Sequence, residues 1–259
     1  MVLLAATSAC SGRSERDAAG DDLVADEGDD DDDTSGIEVE DPVDGDIDQS
    51  LDSCSSIHAT IRDFSLAHPD FETYENDFAT PGIVKPNLDA DRKPIYAHSG
   101  ETSQTTSRAD FEQWYHDIKG VNQRFEIELV LKRVGTNVCS FSDSTFFPID
   151  GLGFGSEGLV ASDGLEHNFL FTTEIHTSFV YRTGQVFTFV GDDDLWMFID
   201  GKLAIDLGGL HPALEQSVNL DDLGLEVGKT YGMEIFHAER HTTDSNFRID
   251  TNIEFIPPE

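Results

Sequence analysis

Apolar and polar residues alternate with a period of two in several separate runs of the chain beyond residue 55. Phe125, Ile127, Leu129 and Leu131 alternate with Glu126, Glu128 and Lys132. Residues 57–61 alternate in the same way, as do Ile175, Phe179 and Tyr181, and Tyr231, Met233 and Ile235. Near the C-terminus Phe247, Ile249, Ile253 and Phe255 stand against Arg248, Asp250, Asn252 and Glu254. Successive strand residues point to opposite faces, so each run predicts a strand with one buried face, in antiparallel sheets. Residues 186–190 are apolar at nearly every position, which suits a central strand. Asp200-Gly201 separates two apolar runs and predicts a hairpin with a type I′ turn. One segment has helical spacing. Ser107 to Asp110 resembles a capping box, Phe111, Trp114, Tyr115 and Ile118 follow at i, i+3, i+4 and i+7, and Gly120 closes the run. An aromatic stripe of this kind is a core face before it is a sugar-stacking platform, a role that only Trp114 would be asked to fill. The predicted fold is all-β: one antiparallel β-sandwich with one short α-helix over residues 51–259. The 18 phenylalanines, against two tryptophans, fill the space between its sheets.

The N-terminal fifth has a different character. Residues 11–50 are rich in Ser, Gly, Asp and Glu, with an unbroken acidic run at 29–33. Such a segment buries too little apolar surface to offset its chain entropy and predicts a disordered, self-repelling acidic linker. The whole chain has 52 acidic and 16 basic residues in 259, a formal charge of −36. That charge argues against nucleic acid and against direct binding to anionic membrane surfaces. It suits calcium, a salty exterior or simple solubility. Residues 1–9 are apolar and end in small residues before Cys10, like the end of a bacterial lipoprotein signal, although a basic leader is missing and Thr7 replaces the usual leucine. On this reading residues 1–10 are a partial export signal, Cys10 is lipidated, and the lipid anchor alone joins a cell-surface protein to the membrane. The alternative is a secretory signal cleaved near Ala9. Cys54 and Cys139 then remain, and an even pair in an exported chain predicts one disulfide, with two buried thiols as the alternative. Two isolated cysteines without CxxC spacing argue against a metal–thiolate site.

Candidate chemistry concentrates at Gly191-Asp192-Asp193-Asp194, just before the hairpin. Neighbouring aspartates on a regular strand point apart, so they share one ion only if a bulge or a cis peptide distorts the backbone. Oxygen ligands favour a hard cation, calcium before zinc. The alternative is an acidic turn that ends a strand. His237, Glu239, Arg240 and His241 offer a second polar group, read first as a structural Glu–Arg pair because no HExxH pattern is present. His211-Pro212, after Gly208-Gly209, offers a pocket wall. Arg62 and Asp63 are placed to pair with each other or to cap the first strand, and residues 68–107 predict a long irregular loop packed on the sandwich. Glu174, Glu239 and the three aspartates supply acids for a glycosidase pair, but any acidic protein does. There is no GxSxG, phosphate-binding glycine loop or zinc-ligand spacing, and the expectation is that the protein is not an enzyme.

Several phrases in order carry a family resemblance: Thr60-Ile61-Arg62-Asp63-Phe64, His68-Pro69-Asp70-Phe71-Glu72, Phe146-Phe147-Pro148-Ile149-Asp150-Gly151, His167-Asn168-Phe169, the run from Gly191 to His211, and the run from Ala238 to Phe247. They resemble the fibro-slime domain of bacterial surface proteins and slime-mould secreted factors, related to the protective-antigen-like β-sandwich of calcium-dependent adhesins. In those adhesins two successive aspartates joined by a cis peptide hold the ion and an asparagine from another loop completes the site. The resemblance therefore implies Ca2+ as cofactor, held by Asp192-Asp193 or by Asp193-Asp194, with Asn246, or Asp244 beside it, as the residue from the other loop; the alternative for Asp244-Ser245-Asn246 is an Asx-type turn between the last strands. Read from the residues themselves, His211, Asp244 and Arg240 are the candidates beside the ligand. The resemblance also implies an exported cell-surface module that binds carbohydrate, a surface or extracellular matrix polysaccharide, in adhesion or matrix assembly. The alternative is a structural or protein-binding surface domain whose acidic loop only stabilises the fold.

Overall fold

The computed structural model describes residues 53–74 and 78–256. The expected export segment with Cys10 and the acidic linker at 11–50 lie outside the described residues. Among the described residues eleven strands run in chain order: β1 (Ser53–Asp63), β2 (Gln123–Arg133), β3 (Cys139–Asp143), β4 (Phe171–Val180), β5 (Val186–Gly191), β6 (Asp194–Ile199), β7 (Lys202–Leu207), β8 (Leu214–Asn219), β9 (Thr230–Glu239), β10 (Phe247–Thr251) and β11 (Phe255–Ile256). Every pairing is antiparallel, as the period-two patterning predicts. The strands form one continuous sheet in the order β7-β6-β9-β4-β1-β2-β3-β10-β5-β8, with β11 added beside β4. The end strands β7 and β8 approach each other, so the sheet folds back on itself and nearly closes. Its concave side encloses a core that includes Ile57, Ile61, Leu129, Ile175, Phe187, Phe189, Met197, Ile235 and Phe247.

A second core lies on the convex side. Phe64, Phe71, Ile83, Tyr96, Phe111, Trp114 and Tyr115, drawn mostly from the long connection between β1 and β2, pack on Trp196, Phe198, Phe236 and Ala238. This extra layer explains β6, whose six residues are all buried. Leu195, Met197 and Ile199 face the inner core, while Trp196 and Phe198 face the outer one. The segment at 186–190 does lie inside the strand order, between β10 and β8. Its burial alternates, however, with Phe187 and Phe189 inside and Val186 exposed. The strand buried on both faces is therefore β6.

The β6–β7 turn has the expected form. Asp200 and Gly201 both adopt positive φ, 53° and 69°, as a type I′ turn requires. The helix is shorter than its spacing implies. Only α1 (Arg108–Phe111) is α-helical, with the Asp110 N–H capped by Ser107 Oγ at 3.2 Å. Beyond it Gln113 and Trp114 donate to Asp110 O and Phe111 O, three residues back. Bulky aromatics gain little from helical backbone; here burial of Phe111, Trp114 and Tyr115 in the outer core sets the path, and Ile118 stays partly exposed. Trp114 is fully buried, a core residue with no face left for sugar.

Arg62 and Asp63 are not partners. Arg62 reaches Asp117 Oδ1 at 2.8 Å and Glu174 Oε2 at 2.6 Å, while Asp63 accepts from Asn168 Nδ2 at 2.7 Å. Their side chains leave opposite faces of the strand, as alternation requires. Cys54 and Cys139 form a disulfide with Cα atoms 5.9 Å apart, tying β1 to β3.

Candidate functional site

The chain bends at Asp192 and Asp193, between β5 and β6. Gly191 makes the bend possible, because a Cβ there would stand 2.6 Å from Asn246 O and from the Phe189 ring. The bend lets neighbouring aspartates turn to different partners. Asp192 accepts from the backbone N–H of Asn246 at 2.6 Å and from Asn246 Nδ2 at 2.8 Å, which joins the first aspartate to the predicted asparagine. Asp193 accepts from the N–H of Arg240 at 2.9 Å and, at 3.4 Å, from that of His211. Asp194 is fully buried, with one oxygen accepting from the N–H of Gly209 at 2.6 Å and the other from Arg240 Nε at 2.6 Å. The one cis peptide among the described residues joins Thr242 to Thr243 rather than two aspartates.

Arg240 is the centre of this network. It is fully buried, ion-paired to Asp194, donates Nη1 to the carbonyls of Asp70 at 2.9 Å and Gln104 at 3.1 Å, and lies 4.7 Å from the centre of the Trp114 ring. Asp70 in turn accepts from Trp114 Nε1 at 3.1 Å and from the N–H of Thr106 at 2.6 Å. Glu72 donates its N–H to Arg240 O and accepts from the N–H of Thr242. Phe146 and Ser245 exchange hydrogen bonds on the other flank. Phrases far apart in sequence thus converge on one buried guanidinium.

Glu239 stands apart. It is fully buried, and neither carboxyl oxygen has a hydrogen-bond partner of good geometry, although Ser245 and the His241 backbone stand near enough to favour its ionised form weakly. The expected Glu–Arg pair is absent, because adjacent strand residues face opposite ways and Arg240 turns to Asp194 instead. Burial, reinforced by the charges of Asp193 and Asp192, pushes the Glu239 pKa well above its ordinary value. Asp192 and Asp193 are also raised, burial being the largest cause for both. Buried carboxylates this close either keep a proton or take a cation.

The other predicted ligand residues are placed differently. His211 is buried, with Nδ1 against Pro212 O at 2.9 Å and Nε2 against Leu207 O at 3.1 Å. It meets the acidic bend through its backbone. Arg240 is likewise held inside, by Asp194. Asp244 is exposed and hydrogen-bonded to Ser162, on the rim of a small recess that also includes Thr145 and Asp163. The structure therefore brings Asp192, Asp193, Glu239 and Asn246 together, buries Asp194 and Arg240 beneath them, and leaves Asp244 outside. Sequence spacing gave no sign that Gln104 would contact Arg240, since only tertiary packing joins them.

His237 lies in the wall behind the bend. It donates Nε2–H to Asp192 O at 2.9 Å and packs against Phe146, Phe171, Phe189 and Phe247. Burial lowers its pKa from 6.5 to about 4. The unfolded chain takes up this proton at higher pH than the folded one. The stabilising effect of neutral His237 is therefore complete above pH 6.5 and is lost as pH falls through about 4, a difference of about 3 kcal/mol. NMR titration of the His237 ring protons should show no protonation above about pH 5; a midpoint near 6.5 would contradict the buried, neutral ring.

The site lies within a segment with a recognisable relative. Residues 171–258 match the PA14 domain family. The PA14 match takes in all of β4 to β11 and every residue of the acidic bend. Among curated proteins, Protein psiD of Dictyostelium discoideum is 42% identical over 210 residues, covering 77% of this chain and 41% of psiD. Protein psiR of the same organism is 38% identical over 201 residues, covering 74% of this chain and 20% of psiR. The chain spans less than half the length of these relatives. Among solved structures, the PA14 domain of the MpAFP antifreeze protein aligns over 75% of this chain and 80% of its own, at 7% identity and a TM-score of 0.31.

Proposed function

We propose that this PA14-type, fibro-slime-like module binds carbohydrate with the help of Ca2+ at the acidic bend, as an exported, cell-surface adhesion or matrix component. The observation that carries the cation is Glu239: a fully buried carboxyl with neither oxygen in a hydrogen bond of good geometry, beside Asp192 and Asp193. Every side-chain donor in the group is oxygen, the set a hard cation selects. Among the described residues no three such side chains stand in a ready-made cage, so binding must draw Glu239 and the two aspartates inward. Bound calcium would neutralise the bend and offer open coordination positions to sugar hydroxyls. Asp194 and Arg240 would fix the backbone beneath it. A second reading, in which the acidic bend only stabilises the fold, is favoured by Asp194, whose two oxygens are both taken by protein donors.

Thermal unfolding after chelation separates the two. Extracellular calcium modules bind at about 10⁻⁴–10⁻³ M, so about 10 mM Ca2+ should raise stability by about 1.5–3 kcal/mol and Tm by about 3–10 °C. Asp193→Asn and Glu239→Gln should each abolish the rise. A glycan screen with and without calcium then tests the sugar. An unchanged Tm across this range would leave the structural or protein-binding reading.

A further inference from the structure

The opposite end of β6 carries a recess that the acidic bend does not use. Its volume is about 670 Å³, within the range of about 300–1,000 Å³ typical of ligand pockets. Its walls come from the Asp200-Gly201 turn, Asp89 and Arg92 of the long connection, His176 of β4, Glu234 of β9 and Ile256 of β11. Along a strand of this length the two ends are about 15–20 Å apart.

Two acceptors without partners lie in this wall. Glu234 is only 3% exposed; Arg92 donates from Nε and Nη2 to Oε1, and Oε2 has no partner. His176 is paired directly across from Glu234 on the neighbouring strand. Its Nε2 is hydrogen-bonded to Glu174 Oε1, and its Nδ1 is buried and without a partner. Burial opposes ionisation of Glu174, yet His176, Lys93 and Arg62 together hold its pKa down to about 2. Glu174 is therefore an acceptor, so the ring proton of His176 sits on Nε2; in the tautomer with that one proton, Nδ1 is an acceptor. Two buried acceptors on directly paired residues call for a ligand that donates twice. Around them stand three carboxylates, Asp89, Asp200 and Glu234, against the one guanidinium of Arg92. A hydroxyl brings an acceptor with every donor, whereas an ammonium has three donors and no acceptor.

We propose that this recess binds a primary ammonium group, which donates to Glu234 Oε2 and His176 Nδ1. Arg92 is half exposed, with 53% of its side chain in solvent. The ligand reaches Glu234 as that guanidinium withdraws, exchanging one cation for another. Ile256 and Leu88 supply an apolar side for the carbon skeleton. The same chemistry is presented by an amino sugar and by an aliphatic amine such as a lysine side chain.

Titration calorimetry on the full chain in chelator tests this without reference to calcium. The ligands are glucosamine, 1,5-diaminopentane and, as neutral controls, glucose and N-acetylglucosamine. At least one amine should bind saturably while the neutral sugars do not. Preference for glucosamine identifies an amino sugar, and preference for the diamine an aliphatic amine. Glu234→Gln should weaken binding by about tenfold or more, since a charge-assisted hydrogen bond is lost. Arg92→Ala, at a half-exposed position, should tighten it several-fold by removing the competing cation. No saturable binding by either amine, equal binding by the neutral sugars, or an Arg92→Ala affinity that is unchanged or weaker would overturn the proposal.

Discussion

Replacing Arg240 by leucine will destabilise the protein by about 3–5 kcal/mol, because it leaves the Asp194 carboxylate buried with no counter-charge. The loss extends beyond one ion pair. The carbonyls of Asp70 and Gln104 lose their donor, and Trp114 loses the cation on its face. These losses add to the stranded charge, since a hydrogen bond involving a charged group contributes about 1.5–3 kcal/mol and a desolvated cation–π contact about 2 kcal/mol or more. Urea denaturation should show a lower midpoint, and Tm should fall by about 6–20 °C. Pairing Arg240→Leu with Asp194→Leu should recover part of the loss, because the stranded charge is gone. If the double variant were less stable than the single by the full cost of Asp194→Leu alone, the two residues would not be acting as a pair.

Removing the disulfide should have a comparable effect by a different route. Cys54 and Cys139 are separated by 85 residues, and closing a loop of that length restricts the unfolded chain by about 4–5 kcal/mol in the chain-entropy model. The double variant Cys54→Ser, Cys139→Ser should lose most of that. Because the effect lies mainly in the unfolded state, the calcium response proposed for the acidic bend should, where wild type has it, persist in the folded variant. Denaturant unfolding of wild type with and without reductant checks the first point, and the calcium-dependent Tm shift of the double variant checks the second. A loss below about 1 kcal/mol would mean that the unfolded chain is already compact around this crosslink.

The strand runs were legible because alternation is a local property. Phe125 to Leu131 and Tyr231 to Ile235 show their buried face in a few residues, and the structure places both runs on strands. The Asp200-Gly201 turn was legible for the same reason, since φ > 0 at two successive positions restricts residue choice. The helix from Phe111 to Ile118 was only partly legible. Its spacing was right for a helix, but three aromatics sank into a second core that no periodicity announces. The Glu–Arg pair failed because nearness in sequence on a strand means opposite faces.

By itself the sequence determined an all-β antiparallel architecture, its hairpin turn and a concentration of acid at 192–194, and it made a Cys54–Cys139 bond the first expectation, with two free thiols left open until the structure joined them. These follow from local pattern, turn chemistry and counting. Only the tertiary structure decided which carboxylates have partners. Asp194 is neutralised by Arg240, the residue just past β9, Asp192 is tied to Asn246, and Glu239 is left without a hydrogen bond of good geometry. It also decided that Glu234 and His176, 58 residues apart in sequence, stand directly across from each other. Partnership of this kind depends on strand register and burial over long separations, and the physical consequence of an unpaired buried charge exists only once water has been excluded.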